Sequence, residues 1–589
     1  MYKCEKLYNI ATIINKPIGD FRIDDWVIYS IPKERKNMKT VKRTIVALLI
    51  VALCLPAFAG GTSEKPADTP KATVQTEAAP AKAAAPEKVV FKVSNGAEPE
   101  SLDPAKIQGV PEHRLYEGLF EGLVASDPKT ADSIPGVAES WEASDDGLTY
   151  TFKLRKDAKW SDGTAITAND VVYSWLRELA PETASPYAWF PAMFIEGAAA
   201  YNEGSADASS VKIAALDDYT FQMTLVGPLP YVIGALSHYS FAIVPKQAIE
   251  KYGDQWVLPG NFVGNGPFVL SEWTPQDKIV MVKSDTYWDK DNVKLDEVVF
   301  YASDDNNTNY NMYLSGEIDW LTSIPSDKLD GAMMRDDYQV APQLSTYYYT
   351  IQNTKAPFDN PLVRKALSLA IDRQTLVDEI TKAGQIPAWG IVPEMAGYDA
   401  LEFPFDGDMD AMIAEAQRLL AEAGYPNGVG FPSFSLLYNT DDSHKLIAEY
   451  VQQQWKENLG IDCVLENQEW ATYLSNRNAG NFQVARAGWV GDYQDPNTFL
   501  DMFVTGAGMN GGKYSNAKYD ELIAKAAKMP AGEERFAVLK EAENLFINED
   551  QGIIPFYVYV STNMIDTDKW GGWYPNTMDY HPVKDIYLK

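Results

Sequence analysis

Leu148-Thr149-Tyr150-Thr151-Phe152-Lys153-Leu154 alternates apolar and polar residues with a period of two, which predicts a strand with one buried face. Val89-Val90-Phe91-Lys92-Val93 is nearly continuous in apolar character and predicts a buried strand. Between Trp160 and Gly163 the chain turns, with glycine free to take a positive φ. Thr167 then precedes a helical repeat, with Asp170 three residues later as in a capping box, and Val171, Val172, Trp175 and Leu176 as the apolar face. Asn360-Pro361 opens another helix, with asparagine as N-cap, proline at the first position, and Val363, Leu367 and Ile371 at helical spacing. Helices over Ala411–Ala423 and His444–Leu459 end at Gly424 and Gly460. Each leads into a strand, giving helix-then-strand units Ala411–Tyr438 and His444–Glu466. Intermixed strand and helix signals from Val89 to the last residue, with no second linker and no internal repeat, predict an α/β fold with mixed sheets.

The start of the chain reads differently. Lys39, Lys42 and Arg43 precede the apolar run Ile45–Leu55, and Ala57-Phe58-Ala59 supplies a small-x-small cleavage pattern, so residues 38–59 read as a secretory signal peptide with Gly60 the first mature residue. The apolar run is short for a membrane span. Lipid attachment through Cys54 is a rival reading, but Leu53 is bulky where such motifs take a small residue. A signal peptide belongs at the start, so residues 1–37 read as a non-native extension and Met38 as the true beginning. Residues 60–88, rich in Ala, Pro, Lys, Thr and Glu, read as a disordered linker.

Composition narrows the function classes. A formal net charge of -31 argues against nucleic acid, whose phosphates need basic patches, and against docking on anionic lipid. Of the three cysteines only Cys463 follows the signal segment, so no intrachain disulfide or cysteine metal site is expected. His113, His238, His444 and His581 are scattered, with no metal-ligand spacing. Neither a G-x-S-x-G elbow nor an H-E-x-x-H helix is present. Gly506–Tyr514 fails as a phosphate loop because Tyr514 follows Lys513. Asp305, Asn307 and Asn309 imitate the opening of a calcium loop, but Tyr310 and Gly316 stand where it needs glycine and glutamate, so the stretch reads as a polar surface turn. Aromatic residues are 12% of the chain, enough for a large core and for the walls of a site that takes varied ligands. At this level a secreted binding protein and a hydrolase with unrecognised machinery both stand.

A longer pattern decides between them. VAESWEASDDGLTYTFKLRKDAKWSDGTAITANDVVYSW (137 to 175), NGPFVLSEW (265 to 273), YLSGEID (313 to 319) and APFDNPLVRKALSLAIDR (356 to 373) resemble the peptide and nickel family of binding proteins that serve ABC importers. NGAEPESLDPAKIQGVPE (95 to 112), TASPYA (183 to 188), STYYYTIQN (345 to 353) and ENQEWATYLSNRNAGNFQVARAGWVGDYQDPNTFL (466 to 500) resemble its periplasmic oligopeptide-binding members. The resemblance covers essentially Val89 to Lys589. It implies a two-lobed periplasmic-binding-protein fold with a ligand cleft between the lobes and an extra domain on lobe I. Lobe I would comprise 89–122, 247–344 and 560–589, the extra domain 123–246, and lobe II 345–559, with the chain crossing near Ser345 and Val560.

The resemblance also implies a function: capture of short peptides, delivery to the membrane permease subunits of an ABC importer, no catalysis and no cofactor, by a monomer in the periplasm. A cell-wall (murein) peptide-binding protein of the same family is the alternative. A nickel or haem specialist fits less well, given the dispersed histidines. Peptide backbones would pair with protein strands, and side chains would enter hydrated pockets. By the same resemblance, Asp492 would meet the peptide's α-ammonium, and Arg486, Arg477 and His444 its C-terminal carboxylate at different peptide lengths. Tyr187, Trp470, Trp489 and Tyr559 would line pockets, and Gly488 would bring backbone close to the ligand. Relatives carry a disulfide between the positions held here by Ser345 and Val490, and both partners are absent. The Val490-Gly491 pair beside Asp492 is a second departure, at the first side-chain pocket.

Overall fold

The computed structural model describes residues 88–589. The extension, the signal peptide and all but the last residue of the linker lie outside the described residues. Among the described residues no helix is long and apolar enough to cross a membrane.

Eleven elements position the site: β1 (Val90–Ser94), α1 (Val110–Leu119), α2 (Ala168–Leu179), α3 (Asn306–Ser315), β2 (Tyr338–Ile351), β3 (Phe434–Asn439), α4 (Asp442–Leu459), β4 (Cys463–Gln468), α5 (Trp470–Ala479), β5 (Val484–Val490) and β6 (Ile553–Ile565). They belong to a mixed α/β chain whose largest sheet runs β4-β3-β5-β2-β6, then Trp320–Leu321, β1, Glu297–Tyr301, Lys278–Lys283 and Phe268–Thr274. A separate four-stranded antiparallel sheet contains Ala138–Ala143, Thr149–Leu154, Thr220–Thr224 and Ile213–Asp217.

β2 and β6 are the long strands in the middle of the large sheet. They pair antiparallel, but between Pro342↔Val560 and Thr346↔Val558 the register shifts, so Gln343, Leu344 and Ser345 face Tyr559 alone. Such an insertion bends a strand and re-aims the side chain opposite it. The ladder is released there: Leu344 N donates to Thr577 O at 2.7 Å and Gly491 N donates to Leu344 O at 2.8 Å. From Leu344 to Ile351 every residue of β2 is buried, as a central strand covered on both faces requires.

The expected helix caps form. Thr167 N donates to Asp170 Oδ2 at 2.8 Å at the start of α2, and Asn360 accepts from Leu362 N before the helix Pro361–Leu369. The buried seam of α2 is Val171, Ser174, Trp175, Glu178 and Leu179. Val172 and Leu176 are only half-buried, so the expected apolar face is rotated, and it admits Glu178 because Ser185 Oγ donates to that carboxyl at 2.5 Å.

The expected turn at Asp305–Asn309 is instead the start of α3. Asp305 is its N-cap, accepting from Thr308 N at 2.9 Å, and Gly316 closes it at φ +76°. Asn309 is buried and donates to Ser303 O, while Tyr310 and Tyr313 supply the apolar contacts. The polar residues that suggested a turn satisfy the first helical turn.

Candidate functional site

β3, α4, β4, α5 and β5 form two successive crossovers. β4 and β5 lie on either side of β3, both parallel to it. Strand order therefore reverses at β3, and a crevice opens beyond the carboxyl ends of the three strands. Asn439 ends β3, Trp470 opens α5 just past β4, and Asp492 lies two residues past β5. His444 sits in the first turn of α4, whose N-cap Asp441 accepts from the His444 backbone N at 3.0 Å.

A cavity of about 420 Å³ occupies this crevice. All nine residues named from the sequence line it: Tyr187 from the chain after α2; His444, Trp470 and Arg477 from α4 and α5; Arg486, Gly488, Trp489 and Asp492 on or beside β5; and Tyr559 from β6.

Asp492 is buried, and its Oδ2 has no hydrogen-bond partner in the protein. Its backbone N donates to Thr498 Oγ1 at 2.9 Å, which fixes the loop after β5. Burial, and then the nearby Asp501 carboxyl, push its pKa well above the usual carboxylate range. A carboxyl held this way gains most from a cation brought to its free oxygen. Above it the rings of Tyr187 and Trp489 lie nearly parallel, 10° apart, with centroids separated by 6.5 Å.

Arg486 supplies the opposite sign. Nη2 donates to Tyr559 OH at 2.9 Å and Nη1 to Asn439 Oδ1 at 3.3 Å, while Nε is buried without a partner. Among the described residues no carboxylate lies within ion-pair distance of Arg486 or Arg477. Arg477 is held by Asn478 Oδ1, at 3.3 Å from Nη2, by the Met509 sulfur at 4.0 Å and by the ring of Tyr473. His444 differs from the two arginines. Burial, and then the Arg486 charge, push its pKa down to about 3, so it faces the cavity as a neutral imidazole. At the expected glycine a side chain has no room: a Cβ on Gly488 would stand 2.8 Å from Tyr559 OH and 3.2 Å from Arg486 Nη2.

Trp470 Nε1 points to Glu112 Oε1 at 3.3 Å. Glu112 is buried in α1, its pKa raised to about 7 by burial, and it also accepts from Glu100 N at 3.0 Å. α1 approaches α5 closely because Gly109, at φ +113°, leaves room where a Cβ would meet the Trp470 ring at 2.9 Å.

Several lining residues lie outside the nine named from the sequence. His113 and His238 line the same cavity as His444, so three histidines scattered along the chain converge in space. Asp441 had a readable signal, an N-cap aspartate three residues before His444. Glu112-His113-Arg114 had another, three titratable residues in a row after Pro111. His238 had none.

Comparison with known proteins follows this geometry. The family model described as bacterial extracellular solute-binding proteins, family 5 Middle, matches residues 132–511. The chain is 39% identical over 555 residues to the periplasmic oligopeptide-binding protein OppA of Escherichia coli (strain K12), covering 93% of this chain and 98% of that protein. Among solved structures, the Haemophilus influenzae OppA complex with RPPGFSPFR matches with a TM-score of 0.82 at 35% identity, over 85% of this chain and 99% of that one. The Escherichia coli murein tripeptide binding protein MppA also matches at 0.82, with 37% identity and the same coverage. Against the unliganded open form of MppA the TM-score drops to 0.59, at 37% identity and over 85% and 98% of the two chains. The present structure is therefore unlike the open arrangement.

Proposed function

The chain belongs to family 5 of the bacterial extracellular solute-binding proteins, and we propose that it captures short peptides in this cleft and delivers them to the permease subunits of an ABC importer, without catalysis. One observation carries the reading: a buried carboxyl with a free oxygen, Asp492, shares a cavity with a half-buried guanidinium, Arg486, that has no carboxylate partner among the described residues. A zwitterion with its charges at opposite ends satisfies both. The six residue steps from Arg486 to Asp492 span at most about 20 Å. A peptide extended at about 3.3 Å per residue would fit that span up to roughly six residues.

The proposed architecture has lobe I from 89–122, 247–344 and 560–589, an extra domain at 123–246, and lobe II from 345–559, with β2 and β6 as the crossing strands. The protein would work as a monomer in the periplasm, exported by the signal at 38–59 and either freed at Gly60 or held through Cys54.

Calorimetry with one tripeptide, its N-acetylated form and the Asp492→Ala variant tests the reading. Leaving a buried charge unpaired costs about 3–5 kcal/mol, so the variant should lose roughly a hundredfold in affinity or more. Acetylation should cost as much, and the two losses should not add. Equal binding of free and acetylated peptide by the parent protein would remove Asp492 from the site. A murein tripeptide that displaced the tripeptide at far lower concentration would favour the cell-wall reading, suggested by the equal likeness to MppA.

A further inference from the structure

His238 sits where a 3-10 turn, Tyr239–Phe241, begins, and its ring serves as the turn's cap. Its Nδ1 accepts from the Ser240 backbone N at 3.3 Å and lies 2.8 Å from Ser240 Oγ. A backbone N–H can only donate, so Nδ1 is the unprotonated nitrogen and the neutral ring carries its hydrogen on Nε2. That nitrogen lies 3.4 Å from Asp492 Oδ1, within ion-pair distance but longer than an ordinary hydrogen bond, so a small closing movement would bring the two into bonding range. The ring is 3% exposed and fixed by Tyr239, Tyr187 and Phe190, with centroids 3.8, 4.7 and 5.0 Å away. It can turn neither its donor nor its acceptor elsewhere. Burial, and then His113, hold its pKa well below the ordinary value, which favours a neutral ring facing Asp492.

Resting on the peptide-binding reading above, we infer that His238 is a positioning residue: it donates Nε2–H to Asp492 Oδ1 and so keeps Oδ2 turned toward a peptide's α-ammonium. In the proposed division His238 belongs to the extra domain and Asp492 to lobe II. The contact therefore forms as the cleft closes, which ties recognition of the peptide's first residue to closure. A donor to a charged carboxylate is worth more than one to a neutral partner, so the bond strengthens once the ammonium has ionised Asp492.

Two variants separate this role from packing. His238→Phe keeps an aromatic ring in the aromatic nest and removes the donor, whereas His238→Gln loses the ring but keeps an N–H at similar reach. Calorimetry of each with a free and an N-acetylated tripeptide gives the reading. His238→Phe should lose about tenfold to a hundredfold for the free peptide and little for the acetylated one, and His238→Gln should recover most of the loss. Equal losses for both peptides, or a His238→Gln no better than His238→Phe, would overturn the inference. If the parent protein itself fails to distinguish the two peptides, the peptide reading fails. If it distinguishes them and His238→Phe does so equally well, only the role of His238 fails. Should the variants not fold, nitrogen-15 imidazole NMR of the parent protein decides. The Nε2–H resonance should move downfield with the free tripeptide and stay with the acetylated one, and an Nδ1-protonated ring would refute the geometry.

Discussion

Arg486 Nη2 donates to the Tyr559 hydroxyl at 2.9 Å, through space left open by the missing side chain of Gly488. Gly488 has no positive φ, so its constraint is purely one of volume. Gly488→Ala should displace the phenol and the guanidinium, both ends of flexible side chains, and leave the strand in place. Calorimetry should show peptide affinity falling about tenfold or more, with the melting temperature nearly unchanged. A large loss of stability with intact affinity would contradict this.

Ser345 and Val490 are directly opposed across β2 and β5. Because the neighbouring pair Leu344 and Gly491 is the hydrogen-bonded one, Ser345 and Val490 form a non-hydrogen-bonded pair with side chains close together. The double variant Ser345→Cys, Val490→Cys should oxidise to a bridge, closing a loop of about 145 residues with a gain of at most about 5 kcal/mol. Melting with and without dithiothreitol measures it. The parent protein, in which Cys463 is free and buried, should melt identically under both conditions.

Burial pushes Glu112, Glu121 and Asp501 up to about 7 and Glu178 up to about 8. These groups keep their protons in the folded chain after the unfolded chain, with ordinary carboxyls, has released them. The associated stability is full below about pH 4 and is lost as pH rises through 7 and 8. The melting temperature of the peptide-free protein should fall from about pH 5 to about pH 8, and Glu178→Gln should flatten that fall. Asp492 adds the opposite trend in binding. An α-ammonium favours its ionised form, so affinity should rise with pH until the amine titrates near about 8. A flat stability profile would count against the buried neutral carboxyls.

Trp489 and Trp470 line the cavity, and Trp489 Nε1 is buried without a partner. A peptide entering the cleft should change tryptophan fluorescence, and at a hundred times its dissociation constant it should stabilise the protein by about 2.7 kcal/mol. A broad peptide library that moved neither fluorescence nor melting temperature would argue against a peptide ligand.

Local physics was the legible part of the chain. The caps at Thr167 and Asn360 and the stops at Gly424 and Gly460 depend on a few adjacent residues and appear as expected. The helix at Asn306–Ser315 was misread because asparagine and aspartate serve turns and helix starts alike, and only the burial of Tyr310 and Tyr313 decides between them. The nine candidate residues were legible through family resemblance, not through their own chemistry, and chain order could not show that they share one cavity. His238 was not legible as a site residue. His238 is a lone histidine in an apolar run, and its meaning depends on a contact with Asp492, just past β5, made only by the folded chain.

The register break opposite Tyr559 has a mechanical consequence. Gln343, Leu344 and Ser345 have already left the ladder between β2 and β6, so a swing at this point ruptures no rung of it. The paired stretches on either side, Tyr338–Pro342 and Thr346–Thr350, the second with a further register shift between Tyr347 and Tyr348, would each move with its own lobe. Slow-exchanging amides in both should stay protected whether the cleft is open or shut, while the three residues between them absorb the whole rotation.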